Sequence, residues 1–419
     1  MTPVLLALLF GAAPDQLGFS AAGAATAGAA VAEPAGASGA YYNPAHAALA
    51  ADAAAVVGYG RALRQVTLDG ARQSLAPVDL VSLGLSIPAR LPVLGRFGLS
   101  FAVTMPGSRI LVTDVVPAGR PRLLFDANRL ECTTIDVGLA YARTVGDIEL
   151  AVATGAAVLT DAAGNGTTFY FRRSDAYAQA DAAVEVELPV AMAPTVAALG
   201  RAGDWSFAAV FRAALEMDVQ IGTSAEMTIG PFAGDLQAAV SGTDFYTPAR
   251  LVLGATWRHV DLSLHLAAEY QRWRAAPPLT ATWRTRVEPE GVPVVLPQST
   301  PVPQRLDDVV VGRLAVEQRW PLRDQVLTLR AGGFYAPTPV GRDAWAVFVD
   351  SDHFGVGLGL GLDSTALAMV LPRPLSLDLH LLYVGLRDHR QTFAGVAGEV
   401  PIRIAGRLWS GGLGLTLRL

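Results

Sequence analysis

Large apolar residues alternate with small or polar residues along most of the chain after about residue 53. The pattern is clearest from Leu413 to Leu419, and it recurs in residues 97–105, 262–270 and 375–383. Alternate side chains point to opposite faces of a β-strand, so this spacing predicts strands with one apolar face and one small or polar face. Fourteen such strands are predicted, near residues 53–66, 78–89, 95–106, 131–145, 147–161, 180–198, 204–220, 247–258, 260–274, 307–320, 325–336, 352–364, 374–387 and 403–419.

The connections between these predicted strands alternate in length. Those at Thr144–Asp147, His259–Val260 and Pro321–Asp324 are short, and those at the opposite ends of the strands are long. Short turns on one side and long loops on the other are typical of outer-membrane barrels. The predicted long loops are residues 107–130, 162–179, 221–246, 275–306, 337–351 and 388–402.

Composition narrows the possible classes of protein. Hydrophobic residues make up 52% of the 419 residues and charged residues 16%, so the chain is too apolar to be disordered. The net charge of −5 and the absence of a basic run argue against a nucleic-acid-binding protein. Beyond the N-terminus the best apolar run, Leu188–Gly200, is shorter than the roughly 18–20 residues of a transmembrane helix. The predicted fold class is therefore all-β, a 14-stranded antiparallel transmembrane β-barrel.

The first 50 residues lack the alternation and divide into two segments. An apolar stretch, Val4–Ala13, ends in small residues, so residues 1–13 are interpreted as a signal peptide, with a short buried strand as the alternative. Residues 14–50 are rich in Ala and Gly, which suits a compact segment that packs against the wall of a wide lumen. We therefore predict an N-terminal hatch, or plug, over residues 14–50 and a barrel over residues 51–419.

Charged residues on the polar strand faces are expected to line the lumen. An isolated buried charge is costly, so ion pairs between these residues are the simplest interpretation. Arg313 and Arg330 are nevertheless candidates to bind a ligand carboxylate, and ion pairs with Glu317 are their alternative role. The predicted lumen residues are Arg61, Asp136, Arg212, Glu216, Arg250, His265, Glu269, Arg313, Glu317, Arg330, Asp378 and His380.

Several motifs point to a known family. A Gly/Ala-rich stretch at Gly23–Ala32 is followed by Glu33 and by the sequence YYNPA at Tyr41–Ala45. Residues 247–259, 329–340 and 350–362 add strand-like sequences. In these motifs, and over essentially its whole length, the chain resembles the FadL/TodX-type outer-membrane transporters of hydrophobic compounds.

The resemblance implies a 14-stranded barrel closed by an N-terminal hatch. It implies ligand capture below the outer loops, an interior pocket, and lateral release through a gap in the wall. Asn43, Pro44 and Ala45 match the hatch motif that lies near this gap. The chain departs from the family at its last residue, Leu419, where an aromatic residue is usual, and at Gly23-Ala24, where a Gly-Arg pair is usual. Pro106 and Gly107 are the candidate position of a strand kink, because proline interrupts a strand ladder.

The functional hypothesis is passive transport of fatty acids or aromatic hydrocarbons across a Gram-negative outer membrane. The expected partners are these ligands, the membrane lipid and the barrel assembly machinery, with no nucleic acid, metal or other cofactor. No nucleophile motif supports an enzyme, and the chain has no HxH or HxxxH pair that would indicate a metal site. The alternatives are a structural or secretion adaptor with the same fold and a hydrophilic diffusion porin.

Overall fold

Fourteen strands form a closed antiparallel barrel in the computed structural model of the chain. Each strand pairs with its neighbours in the barrel, and the last strand pairs with the first over residues Ala54–Arg418, Ala55–Leu417 and onward to Leu68–Ile404. The 14-stranded barrel predicted from the sequence is confirmed. The structure describes residues 4–6, 9–10, 15, 17–73, 77–92, 95–106, 115–117, 122–123, 133–160, 167–174, 178–187, 190–229, 232–277, 282–289, 294–295, 306–341, 348–364, 374–395 and 398–419.

The barrel strands follow the predicted alternation closely. In chain order they are β1 Ala54–Leu68, β2 Val78–Leu91, β3 Gly95–Pro106, β4 Thr133–Val145, β5 Ile148–Thr160, β6 Ala191–Ala202, β7 Trp205–Arg212, β8 Ala249–His259, β9 Leu262–Arg272, β10 Val309–Leu322, β11 Gln325–Ala336, β12 His353–Ser364, β13 Leu375–Gly395 and β14 Gly398–Arg418.

The apolar face of each strand points outward and the small or polar face inward. On β9, for example, Leu264 and Leu266 are exposed, whereas His265 and Glu269 are buried. Leucine, valine and phenylalanine side chains repeat this exposure around the wall, and such an apolar belt is what a bilayer core requires of a barrel. A slip of one residue would turn the charged residues toward lipid, so the pattern fixes the register.

The two ends of the barrel differ. At one end, which we call the turn end, β4–β5, β6–β7, β8–β9 and β10–β11 are joined by two residues each. At the other, the loop end, most connections are long. Tyrosines near the loop end donate hydrogen bonds to aspartates of the neighbouring strand or its flank, and a polar tip on an apolar ring suits the membrane interface. These pairs are Tyr59–Asp79, Tyr270–Asp308 and Tyr335–Asp352, at 2.6, 2.7 and 2.6 Å.

A second sheet lies in the loop-end connections. The hairpin of Leu215–Ile229 and Phe232–Thr247 continues from β7 and returns to β8. Its neighbours are short strands from the flanking connections, so the described residues of the connections β5–β6, β7–β8 and β9–β10 are largely β-structure. The strand order of this sheet is Thr167–Ser174, Ala178–Glu187, Leu215–Ile229, Phe232–Thr247, Thr282–Pro289 and Val294–Val295, with Leu9–Phe10 parallel to Phe245–Tyr246.

Several boundaries differ from the prediction. The predicted strand 204–220 is two strands, because Trp205–Arg212 joins the wall and Leu215–Ile229 joins the loop-end sheet, and most of the predicted loop 221–246 is strand as well. The predicted strand 180–198 is two strands, because Ala178–Glu187 joins the loop-end sheet and only Ala191–Ala202 joins the wall. The predicted loop 388–402 is strand instead. Residues of β13 and β14 continue to pair as far as Gly395 and Gly398 after a register shift between Leu386 and His389. Alternation alone cannot separate a wall strand from its extension into a loop-end sheet, since both have period two.

Two residues that were predicted to line the lumen are exposed on the outside instead. Arg61 shares the outward face of β1, is 53% exposed and pairs with Asp79 near the loop end, where a charge on the outer face is cheaper than at the bilayer centre. Glu216 is exposed because the wall strand ends at Arg212, and after a two-residue break the buried face shifts from even to odd positions. The predictions for Arg61 and Glu216 are therefore wrong.

Residues 17–50 are largely buried inside the barrel, and we call them, together with Asp15, the lumenal segment. They contain the short helices α1, Ala21–Ala25, and α2, Gly39–Tyr42. Within the described residues, no helix is both long and apolar enough to cross a membrane. The signal peptide over residues 1–13 stays a prediction. The remaining short elements are the 3₁₀ helices Gly36–Ser38, Pro44–Ala48 and Trp273–Ala275 and the strands Val4–Leu6, Ala71–Gln73, Val115–Pro117, Arg122–Leu123 and Phe348–Val349.

The register makes a prediction about depth on the outer face. Leu139 lies at the centre of β4 and is 51% exposed, whereas Leu322 lies beside a turn. We expect Leu139→Arg to lower the free energy of unfolding in vesicles by about 2–4 kcal/mol, and Leu322→Arg by about 1 kcal/mol or less. Urea unfolding followed by heat-modifiable gel migration measures both values. Equal losses in the two variants would contradict the orientation of the belt.

Candidate functional site

The lumenal segment can approach the wall because both surfaces carry small residues. Ser20 caps α1 by accepting a hydrogen bond from the Gly23 amide at 3.1 Å. A Cβ atom on Gly332 of β11 would lie 2.4 Å from the Thr26 carbonyl carbon, and a Cβ on Gly357 of β12 would lie 2.4 Å from the Ala24 carbonyl oxygen. Glycine at these two wall positions is therefore what lets the helix backbone contact the strands.

At the turn end, one glutamate of the lumenal segment is clamped by the wall. Arg201 holds Glu33 through two hydrogen bonds, Nε to Oε1 at 2.6 Å and Nη2 to Oε2 at 3.0 Å. Ser206 donates to the same carboxylate at 2.7 Å, and Arg258 at 3.2 Å. Burial raises the pKa of Glu33, but these cationic and hydroxyl partners outweigh it and hold the pKa below its usual range. We call these four residues the Glu33 clamp.

Nearer the loop end, the wall arginines contact both acids and backbone carbonyls. Arg250 pairs with Asp15 at 2.5 Å, and the Tyr41 hydroxyl donates to the same carboxylate. Arg212 pairs with Asp136 at 2.8 Å and also donates to the Tyr41 carbonyl oxygen. The guanidinium of Arg212 also lies 4.6 Å from the centre of the Tyr41 ring, a cation–π contact. Acids of the segment and of the wall thus neutralise these wall arginines.

The motif Asn43–Pro44–Ala45 forms a helix cap against two strands. Asn43 is fully buried; its Oδ1 accepts from the Ala45 amide at 3.1 Å and its Nδ2 donates to the Val31 carbonyl oxygen at 3.2 Å. Pro44 faces β4, where a Cβ on Gly138 would lie 2.7 Å from the Pro44 Cβ. The motif therefore packs behind the β3–β4 pair, and a larger residue than glycine at position 138 would collide with it.

Solved structures with the same architecture are found by structural comparison. A FadL homologue of Pseudomonas aeruginosa has a TM-score of 0.57 and 15% identity, over 95% of this chain and 97% of that one. The chain has the FadL/TodX-type barrel fold. The monoaromatic hydrocarbon channel CymD (TM-score 0.57, 13% identity, 96% and 98% of the chains) and the Pseudomonas putida toluene transporter TodX (0.56, 12%, 96% and 99%) are similar to it as well. No protein-family model and no curated protein sequence matches the chain.

In this FadL/TodX-type barrel, the two candidate carboxylate-binding arginines face the lumen. Arg313 donates to Glu269 at 3.0 Å and to the Ala27 carbonyl oxygen at 2.9 Å. Arg330 pairs with Glu317 at 2.7 Å and with Asp378 at 2.5 Å. A ligand carboxylate would have to compete with these acids, so the ligand role of Arg313 and Arg330 stays a prediction.

The candidate kink lies at the loop end of β3. Pro106 is the last residue of this strand and pairs with Leu80 of β2, whereas the pairing of β3 with β4 ends earlier, at Thr104–Thr134. Gly107 lies outside the described residues. The last two residues of β3 thus pair with β2 alone in the described part of the wall, and a kink there stays a prediction.

Two cavities bordered by described residues lie between the lumenal segment and the wall. The larger, about 50 Å³, is in the loop-end half and is bordered by Asp15, Arg212 and Arg250 together with apolar side chains such as Phe334. The smaller, about 10 Å³, is in the turn-end half and is bordered by Glu33, Glu317 and Arg330. Among the described residues, no group of three or more His, Cys, Asp and Glu side chains could hold a metal ion.

Sequence reasoning missed the wall partners of Glu33 and the role of Asp15. Glu33 is the only acidic residue between Asp15 and Asp52, which is a usable signal that it is anchored. Nothing in the sequence, however, identifies Arg201, Ser206 or Arg258 as its partners, because Arg201 lies 168 positions away along the chain.

The Glu33 clamp generates the first prediction for the lumen. Glu33→Gln leaves two arginines without their carboxylate, and the loss of these partners should cost roughly 1–3 kcal/mol locally. We expect amide hydrogen exchange in residues 29–35 to accelerate strongly in this variant. Glu149→Gln, which removes a partly exposed pair with Arg96 at the turn end, is the matched control and should cost less than about 1 kcal/mol. Unchanged protection in Glu33→Gln would show that the clamp does not anchor the segment.

The clamp should also respond to acid. A lowered folded-state pKa means that Glu33 stabilises the packed segment above the ordinary glutamate pKa, about 4.3. This stabilisation is lost as the pH falls through the lower folded-state pKa. Protection factors of residues 29–35 in the native protein should therefore hold at neutral pH and decrease below about pH 4. In Glu33→Gln this acid-dependent step should be absent; a step of the same size in both proteins would assign it to another group.

Proposed function

We propose that this barrel lies in a Gram-negative outer membrane and passes hydrophobic small molecules without an energy source. The observation that carries the proposal is the combination of an apolar outer belt with a lumen that the protein's own segment fills. A filled lumen obstructs free diffusion of large polar solutes. Because the wall is embedded in lipid, an apolar solute has only a short path from the lumen to the hydrocarbon core. Transfer from water into that core is favourable by about 0.8 kcal/mol per buried CH₂ group.

The similar solved structures support the same class of ligand. CymD is described as a monoaromatic hydrocarbon channel and TodX as a toluene transporter. The ion pairs of the lumen favour uncharged ligands in particular. Arg212, Arg250, Arg313 and Arg330 each pair with an acid of the protein, so an anionic head group would have to displace an internal carboxylate. We therefore propose that neutral hydrocarbons are better ligands than fatty acids.

Lateral release is proposed at the β3–β4 pair. Three observations support this place: the ladder between these strands ends at Thr104–Thr134, Pro44 lies against Gly138 on the inner face, and glycine at position 138 is what allows this close contact. A movement of the motif away from Gly138 would open a space against the wall there. In this proposal, no step requires a nucleophile, a metal or another cofactor.

Uptake measurements test the route. Asn43→Ala removes both hydrogen bonds of the buried cap, at a cost of about 1–3 kcal/mol for groups left unsatisfied, and should slow uptake of radiolabelled toluene by cells that lack their own channel. Thr26→Ala is the control, because Thr26 also bonds inside the lumenal segment but contacts β11 instead of β3 and β4. Equal uptake by Asn43→Ala and the native protein would remove the support for this exit.

Ligand charge gives a separate prediction. In the same cells we expect saturable uptake of toluene and much weaker uptake of oleate at neutral pH, because the lumen arginines already hold carboxylates. Stronger uptake of oleate than of toluene would contradict the preference for neutral ligands. If the correctly folded protein takes up neither toluene nor oleate, the proposed transport function itself is contradicted.

The adaptor hypothesis stays open as a second function. The loop-end sheet supports it, because the seven described strands of this sheet offer a broad surface to another protein. No saturable hydrocarbon uptake, together with a stable partner that co-purifies in detergent, would favour the adaptor over the channel.

A further inference from the structure

The two lumen cavities are adjacent and have three bordering residues in common. Gly23, Gly28 and Tyr42 border both the larger cavity in the loop-end half and the smaller cavity in the turn-end half. Of these residues only Tyr42 has a side chain. The ring of this single tyrosine therefore separates two spaces that otherwise follow one another along the barrel axis.

The position of the Tyr42 ring is well defined. Its hydroxyl accepts a hydrogen bond from the Phe19 amide at 3.0 Å, and its ring packs edge-on against Tyr41 at 5.3 Å between centroids. The ring also covers Gly23 so closely that a Cβ atom there would lie 2.2 Å from the Tyr42 hydroxyl oxygen. Glycine at position 23 thus leaves room for the Tyr42 ring, and the ring closes the space next to α1.

Charged side chains border the cavities on both sides of the Tyr42 ring. The larger cavity is bordered by Asp15, Arg212, Arg250, Glu269 and Arg313, and the smaller by Glu33, Glu317 and Arg330. Ionised side chains in such spaces keep water as a partner, since a dry cavity lined by charges is unfavourable. At about 10–15 Å³ per water molecule, the larger cavity has room for several waters and the smaller for about one.

The smaller cavity leads toward solvent at the turn end. Two of its acids, Glu33 and Glu317, also pair with Arg258 and Arg319. These two arginines are 47% and 46% exposed. Charged side chains therefore lead from the smaller cavity to the turn-end surface.

We propose that the lumen contains an axial water path that the Tyr42 ring interrupts, and that movement of this ring lets water and small ions cross the barrel. The path differs from the hydrophobic route through the wall, and it does not depend on that route. Its narrow cavities admit water and small inorganic ions and exclude larger solutes. The two cavities together are bordered by four acids and four arginines, so neither sign of ion is strongly favoured over the whole path.

Ion conductance in planar bilayers tests the proposal with potassium chloride as the probe. The full-length native protein should conduct only in rare, brief events. Tyr42→Ala removes the partition and should give a steady conductance many-fold above that of the native protein. Tyr42→Phe is the matched control, because it keeps the ring and loses only the hydroxyl contact with Phe19, and it should conduct as little as the native protein.

Folding of each variant is checked by heat-modifiable gel migration. If Tyr42→Ala does not fold, Tyr42→Leu fills more of the space but does not reach Gly23, and it should conduct at an intermediate level. The proposal is overturned if the folded alanine or leucine variant conducts no more than Tyr42→Phe. It is also overturned if Tyr42→Phe conducts as strongly as the alanine variant, since the ring would then not be the barrier. Toluene uptake is measured separately, so its failure would leave this result unaffected.

Discussion

Closure of the hydrogen-bonded wall is the constraint on which the rest of this structure depends. The pairing of β14 with β1 leaves the wall without a free edge, and a bilayer core offers no water to satisfy one. Closure with fourteen strands also encloses a lumen too wide for the wall side chains alone to fill. The inward-facing charges then need partners, and these partners come from across the barrel or from the chain that occupies its interior.

The lumenal segment and the barrel wall supply ion-pair and hydrogen-bond partners to each other. The segment supplies Asp15 and Glu33 to wall arginines, while Arg313 and Arg212 donate to its carbonyl oxygens at Ala27 and Tyr41. All of these contacts hold the segment in place; the two carboxylates also neutralise wall arginines, and the two carbonyl oxygens accept hydrogen bonds from arginines that are paired with other acids. This mutual arrangement explains why the interior is polar although the proposed ligands are apolar. Apolar ligands need an apolar wall and a break in it, whereas the charges serve to hold the segment that occupies the lumen.

The strand pattern could be predicted in detail, and its failures have one cause. Period-two alternation identifies a strand and its two faces, but it does not say which sheet the strand joins. The predictions for residues 180–198, 204–220, 221–246 and 388–402 were wrong for this reason, because β-structure continues beyond the wall into the loop-end region. Glu216 was misplaced because a two-residue break after Arg212 reverses the buried parity, and Arg61 because a charge near the rim is tolerated on the outer face.

The sequence by itself determined the wall, because side-chain direction along a strand is a local property that every second residue reports. It also indicated that residues 17–50 lie outside the wall strands, since small residues without alternation do not form an amphipathic strand. Only the tertiary structure decided which acid meets which arginine and that Tyr42 stands between two cavities. The reason is geometric: partners such as Glu33 and Arg201 are brought together by closure of the barrel around the segment, across a separation of 168 positions that no local pattern encodes.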